Sequence, residues 1–134
     1  MKPLIIANWK MNPANLKEAF DLAGTIVREL AEVDVDVVLC PPSVYIPQLL
    51  PSSNVFIGAQ NAFWKQEGAY TGEISPLMLK NLGCSYVILG HSERRKIGET
   101  LEMVAKKVQS VLNVILVPVV CIGEKVEDEM DIIL

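Results

Sequence analysis

Tyr86-Val87-Ile88-Leu89-Gly90-His91-Ser92-Glu93-Arg94-Arg95 is the stretch that decides how the rest is read. Its first four residues form an apolar run with two β-branched members, which predicts a strand buried on both faces. Gly90 ends the run and permits close approach of the backbone. Ser92 to Arg95 then opens a short predicted helix, with the only histidine of the chain, His91, on the turn between them. A buried strand leading through a glycine into a polar helix start is the unit of a parallel α/β fold.

The same alternation runs outward in both directions. Upstream, Leu4 to Lys10 reads as a first strand, Asp36 to Cys40 as a second and Val55 to Gln60 as a third. Between the first two, Leu16, Ala19, Phe20, Ala23, Val27, Leu30 and Ala31 give Asn15 to Glu32 the spacing of an amphipathic helix. Pro41 and Pro42 stop the second strand, and Ser43 to Leu50 has room for one or two helical turns. Phe63 to Thr71 reads as a loop. Ser75 then caps a short helix with Pro76 in its first turn, which Leu77 to Leu82 continue and Gly83 ends. Downstream, Thr100 to Leu112 predicts a helix, Leu116 to Ile122 a fifth strand and Val126 to Leu134 the start of another helix. Five strands in such a series require a parallel sheet with right-handed crossovers. The pattern fits an open doubly wound sheet and part of a (β/α)₈ barrel equally well.

The 134 residues suffice for one domain, 1–134, with a core of its own. With 51% hydrophobic residues the chain is not a disordered one. A net charge of −4 without a long basic run argues against nucleic acid. No apolar run is long enough to span a membrane, and the N-terminus has no signal-peptide pattern. Cys40, Cys84 and Cys121 are odd in number and lie among apolar residues, which predicts reduced, buried thiols and a cytoplasmic location. One histidine and scattered cysteines give no metal-ligand spacing.

Polar residues gather just past the predicted strands, where parallel α/β folds bind ligands. Asn8 and Lys10 follow the first strand, and Gln60 and Asn61 the third. His91, Ser92 and Glu93 follow the fourth, and Glu124 the fifth. A lysine is by default a solvated charge; in such a place it is also an ammonium aimed at an anion. A histidine at a helix N-terminus has its cationic form disfavoured by the dipole, so a neutral imidazole is free to donate to a carbonyl oxygen. Glu93 reads equally as an ion-pair partner of Arg94, Arg95 or Lys10. The Arg94–Arg95 pair has the character of a surface or salt-bridge feature, and Cys121 that of an inert buried thiol.

Five motifs carry a family resemblance. Asn8-Trp9-Lys10-Met11-Asn12, Gly58-Ala59-Gln60-Asn61-Ala62, Gly68-Ala69-Tyr70-Thr71-Gly72-Glu73-Ile74-Ser75, the Tyr86 to Arg95 stretch and Pro118-Val119-Val120-Cys121-Ile122-Gly123-Glu124 come in the order and spacing of triosephosphate isomerases. The chain resembles that family over nearly its whole length. The resemblance implies a half TIM barrel of about five strands and the isomerisation of dihydroxyacetone phosphate and glyceraldehyde 3-phosphate without a cofactor. It implies that Asn8 and Lys10 bind the triose phosphate, with Lys10 as electrostatic anchor. His91 would polarise the carbonyl and shuttle protons, and Glu93 would support Lys10. Thr71 would brace a neighbouring copy's Asn8 and Lys10, with Glu73 and Arg94 in interface ion pairs. Triosephosphate isomerase is itself a standard illustration of a glutamate base working with a neutral histidine.

The family barrel has eight βα units over about 250 residues. The sequence therefore predicts a truncated domain without the sixth-strand glutamate base, its lid and the phosphate-binding loops of the seventh and eighth units. Neither Glu93 nor Glu124 stands where that base belongs. Ile115 occupies the place of a usual glycine before the fifth strand. Five strands leave open edges and an apolar inner face, so the chain is expected to pair with a complementary C-terminal half, to pair with itself or to refold into an open sheet. The competing expectation is a non-catalytic half-barrel fragment that self-associates as a structural or folding unit. A phosphate-binding α/β module of unrelated function lacks a complete phosphate loop to support it.

Overall fold

A computed structural model describes residues 2–49 and 51–123. Its elements, in order, are β1 (Leu4–Asn8), α1 (Leu16–Glu29), β2 (Asp36–Cys40), a 3₁₀ segment (Ser43–Gln48), β3 (Val55–Ala59), α2 (Pro76–Asn81), β4 (Tyr86–Leu89), α3 (Ser92–Lys96), α4 (Leu101–Asn113) and β5 (Val117–Val120). Glu124 and the helix expected over Val126 to Leu134 lie outside the described residues.

All four strand pairings are parallel, and the order across the sheet is β1-β2-β3-β4-β5. A doubly wound sheet reverses direction at a switch point and puts helices on both faces. Here each strand is laid beside the last, and the core divides to match. Val37, Leu39, Val55, Ile57, Val87 and Leu89 pack with Ala23 of α1, Leu79 of α2 and Val104 and Val111 of α4. The opposite face is a separate cluster without helix residues: Val38, Cys40 and Ile88, with Ile6, Phe56, Tyr86, Val119 and, just past β5, Cys121 around them. Among the described residues helices cover one side only, as on the outside of a barrel. The ambiguity in the sequence pattern is thereby resolved in favour of the barrel.

On the inner face the side chains of β2 take the space beside Gly58. A Cβ on Gly58 would stand 2.7 Å from Cys40 Sγ and 2.8 Å from Val38 Cγ1. Only glycine fits at that point of β3.

Helix starts follow the sequence chemistry. Asn15 Oδ1 accepts the Glu18 amide of α1 at 3.0 Å, Ser75 Oγ that of Met78 at 3.2 Å, and Thr100 Oγ1 that of Met103 at 3.2 Å. Each supplies an oxygen to an amide that the helix itself leaves unpaired.

Three strands are shorter than expected: β3 ends at Ala59 rather than Gln60, β5 spans Val117–Val120 rather than Leu116 to Ile122, and β1 also ends early. The first strand stops at Asn8 rather than running to Lys10, because Lys10 adopts a left-handed backbone, φ +56°. The Asn8 side chain stabilises the turn, its Oδ1 accepting the Lys10 N–H at 2.9 Å. Such a conformation costs a non-glycine residue about 1–2 kcal/mol.

Candidate functional site

The polar cluster forms from side chains that lie just beyond the carboxyl ends of β1 and β4. Two strands stand between them in the sheet. Flat, that would put them about 14 Å apart. The Lys10 ammonium nevertheless reaches Glu93 Oε1 at 2.8 Å. Curling of the sheet, helped by long side chains, closes the gap. Gln60, at the end of β3, secures the near side by donating to the carbonyls of Lys10 and Cys40, both at 2.8 Å.

Glu93 is the hinge of the cluster. The hydrogen bond from Lys10 holds its carboxyl below the usual carboxylate range against the opposing effect of burial, and the charges of Lys10 and Lys96 add to the lowering. It is therefore an anion at neutral pH and keeps the flexible Lys10 side chain in one direction. Its backbone amide also donates to His91 Nδ1 at 3.3 Å, which makes His91 the N-cap of α3. A ring nitrogen that accepts an N–H carries no proton. In the neutral imidazole the proton then sits on Nε2, the tautomer able to donate to a substrate oxygen.

A cleft of about 380 Å³ adjoins this cluster, with Lys10, Gln60, Asn61, Glu73 and Arg94 in its lining. Glu73 and Arg94 thus share one cleft with Lys10. Thr71 is exposed in the loop between β3 and α2. That loop is stiffened by Phe63, whose ring lies 4.0 Å from that of Trp64 and 4.7 Å from that of Tyr70 between centroids.

Arg94 is not simply a surface charge. Its Nε donates to Glu99 Oε1 at 3.1 Å, and the same oxygen accepts from Lys107 Nζ. Lys107 also donates to Asn61 Oδ1 at 2.9 Å. The Glu99 and Lys107 side chains are 1% and 2% exposed, so this ion pair is interior. Burial by itself raises the Glu99 pKa, but hydrogen bonds from Lys107 and Arg94 outweigh it and hold the carboxyl below its ordinary range. The network ties the end of β3, through Asn61, to α3 and α4.

The sequence reading missed Glu99 and Lys107. The signal was present: Lys107 lies three residues after Val104 and four before Val111, on the buried stripe of α4. A lysine there is either misplaced or paired.

Cys40 and Cys84 are buried as expected, whereas Cys121, just past β5, is only partly buried and corrects the expectation for that thiol. Burial pushes Cys40 up to about 12, with Cys84 adding to the rise, and pushes Cys84 up to about 11. Among the described residues no group of three His, Cys, Asp or Glu side chains is arranged to hold a metal ion, and no helix is long and apolar enough to cross a membrane.

The family model for triosephosphate isomerase matches residues 3–132. The chain belongs to the triosephosphate isomerase family. It is 50% identical over 131 residues to the triosephosphate isomerase of Alkaliphilus oremlandii, covering 95% of this chain and 52% of that one. Against that of Dehalococcoides mccartyi the identity is 49% over 134 residues, covering 96% and 52%. A crystal structure of triosephosphate isomerase from Bartonella henselae matches with a TM-score of 0.84 at 35% identity, over 96% of this chain and 54% of that chain. The chain thus spans about half the length of the family members it matches. The five-stranded parallel sheet is the corresponding half of a TIM barrel.

Proposed function

We propose that this chain forms the cation-and-electrophile half of a triosephosphate isomerase site. It interconverts dihydroxyacetone phosphate and glyceraldehyde 3-phosphate in the cytoplasm once a complementary C-terminal part, on the same or another polypeptide, supplies the base and the phosphate loops. The observation that carries this reading is the convergence of Lys10, Glu93 and His91 on one barrel end.

Each residue has a definite task in it. Asn8 shapes the turn that projects Lys10. The Lys10 ammonium attracts the dianionic substrate and offsets negative charge that develops on its oxygen. His91 Nε2–H donates to the carbonyl oxygen, which acidifies the adjacent carbon, and passes protons between the two oxygens of the enediolate. Glu93 holds Lys10 and His91 in register. Thr71, Glu73 and Arg94 meet a second copy, and the homo-oligomer steadies Lys10 and Asn8 from outside.

Exposed strand edges by themselves suit a self-associating fragment equally well. The organised cluster is what favours catalysis, because a purely structural unit has no use for an oriented lysine and histidine.

A coupled isomerase assay tests the proposal. The chain alone is expected to be inactive, since proton abstraction needs a positioned base that the described residues do not place. Addition of the C-terminal half of a family member should restore turnover, and His91→Ala should remove it. Turnover by the chain alone that vanishes in His91→Ala would show that a carboxylate of this half serves as base. Complemented turnover that survives His91→Ala would sink the assignment of the electrophile.

A further inference from the structure

We propose that Arg95 is the positioning residue for His91, acting by drawing the carboxyl ends of β4 and β5 onto one point. Its guanidinium lies where three backbone carbonyls converge. Nη1 donates to Gly90 O at 2.7 Å and to Cys121 O at 3.1 Å, and Nη2 donates to Gly123 O at 3.4 Å. The first of these oxygens belongs to the peptide that carries the His91 N–H. The other two lie on the chain leaving β5.

The arrangement closes a ring around the histidine. The Arg95 amide donates to His91 O at 3.1 Å, and the Arg95 side chain returns to the carbonyl just before His91. Both sides of His91 are thereby held by one residue, while Nδ1 is held by the Glu93 amide. The strand ladder stops short of this point. Its last bond runs from Cys121 N to Leu89 O at 2.9 Å. Arg95 continues the connection beyond it, where backbone pairing alone leaves the ends apart.

Gly90 leaves little play. Its φ is +71°, and an added Cβ would meet two Val104 methyls at 3.3 Å and Cys121 O at 3.4 Å. The peptide before His91 is thus pressed against α4 and β5 on one side and clamped by Arg95 on the other. A planar guanidinium satisfies several carbonyls in fixed directions; an ammonium satisfies them as a point charge only. The sequence reading of Arg95 as a surface or salt-bridge feature is corrected accordingly: its acceptors are main-chain oxygens.

The catalytic consequence rests on the isomerase reading above, but the ring geometry is measurable without catalysis. His91 is the only histidine, so ring-¹⁵N labelling gives one assignable imidazole. Magic-angle-spinning NMR reads it in monomer or assembly alike. The chain is expected to show a single ring state with Nδ1 as acceptor and the proton on Nε2. Arg95→Gln keeps one donor and loses the fork; it should broaden the signals or split them between tautomers. Arg95→Lys should restore part of the wild-type pattern. Lys80→Ala, which removes a bond to Ile115 O at the opposite end of β5, controls for general loosening and should leave the ring unchanged.

In the complemented enzyme, Arg95→Gln should lower kcat by about tenfold or more with KM nearly constant, because misplacement of a catalytic group by about 1 Å can cost about a hundredfold. A wild-type ring averaged between tautomers, an unaltered ring in Arg95→Gln, or equal disturbance in Lys80→Ala would overturn the proposal. If the ring responds as expected but no complemented preparation turns over substrate, the isomerase reading falls and the positioning role stands. If turnover is restored and is indifferent to Arg95→Gln, the reverse holds.

Discussion

Lys107 shows how much one side chain sets at the scale of the residue. Its ammonium is buried against Glu99 and Asn61, and Arg94 completes the group. Replacing it with methionine leaves the Glu99 carboxylate buried with only Arg94 beside it. Lys107→Met should therefore destabilise by about 3–5 kcal/mol, the usual cost of breaking a buried pair from one side. The double change Glu99→Gln with Lys107→Met should cost clearly less. Urea unfolding midpoints separate the two. A pH dependence follows from the same group. The folded Glu99 has a lowered pKa, so its contribution is full above the unfolded value, about 4.3. It is lost as pH falls through the folded value. Glu99→Gln should flatten this part of the acid-unfolding profile.

Two helix ends make the argument at the scale of the element. α2 and α4 finish in the same hydrogen-bond pattern. Gly83 N bonds to Lys80 O at 3.0 Å and Cys84 N to Leu79 O at 3.1 Å. Ile115 N bonds to Leu112 O at 2.9 Å and Leu116 N to Val111 O at 3.2 Å. This is the Schellman arrangement, which places one residue in the left-handed region. In α2 that residue is Gly83, φ +86°; in α4 it is Ile115, φ +58°. The departure noted in the sequence therefore falls on the position least suited to a β-branched side chain. Ile115 is also 84% exposed, so its side chain gains little from packing. Ile115→Gly should raise stability by about 1 kcal/mol, the relief of left-handed strain outweighing the added chain entropy. A lower urea midpoint in that variant would show that Ile115 contributes a contact the geometry does not reveal.

Taken whole, the described sheet has two open sides. β1 and β5 are its edges, and Leu4, Ile5, Val117 and Val120 on them are exposed. The inner cluster holds three buried residues ringed by five partly buried ones, a core with one wall missing. Unpaired edges and apolar faces of this kind drive association. Sedimentation of the chain alone should show oligomers or a broad distribution. Addition of a complementary C-terminal half should shift it to a defined complex. A monodisperse monomer with a sharp unfolding transition would count against this account.

The strands were legible in the sequence because all five read as apolar runs; β2, β3 and β4 are buried, whereas the edge strands β1 and β5 keep exposed residues. The helix starts were legible because Asn15, Ser75 and Thr100 offer a side-chain oxygen where backbone amides lack partners. Lys10 and His91 stood out by lying just past strands, whereas Ile115 stood out only through the family resemblance, which implies a glycine there. All but the last are properties of one residue and its near neighbours, which short-range sterics and hydrogen bonding dictate. The strand and helix pattern by itself left barrel and doubly wound sheet open; the family resemblance implied the barrel, and the tertiary structure shows it, since that choice is the direction in which each strand is laid beside the last. Tertiary structure alone brought Lys10 to Glu93 across two strands, buried Lys107 on Glu99 and gathered three carbonyls around Arg95. Each of these joins groups far apart in the chain, and their energy depends on desolvation and on distances that exist only once the sheet has curled.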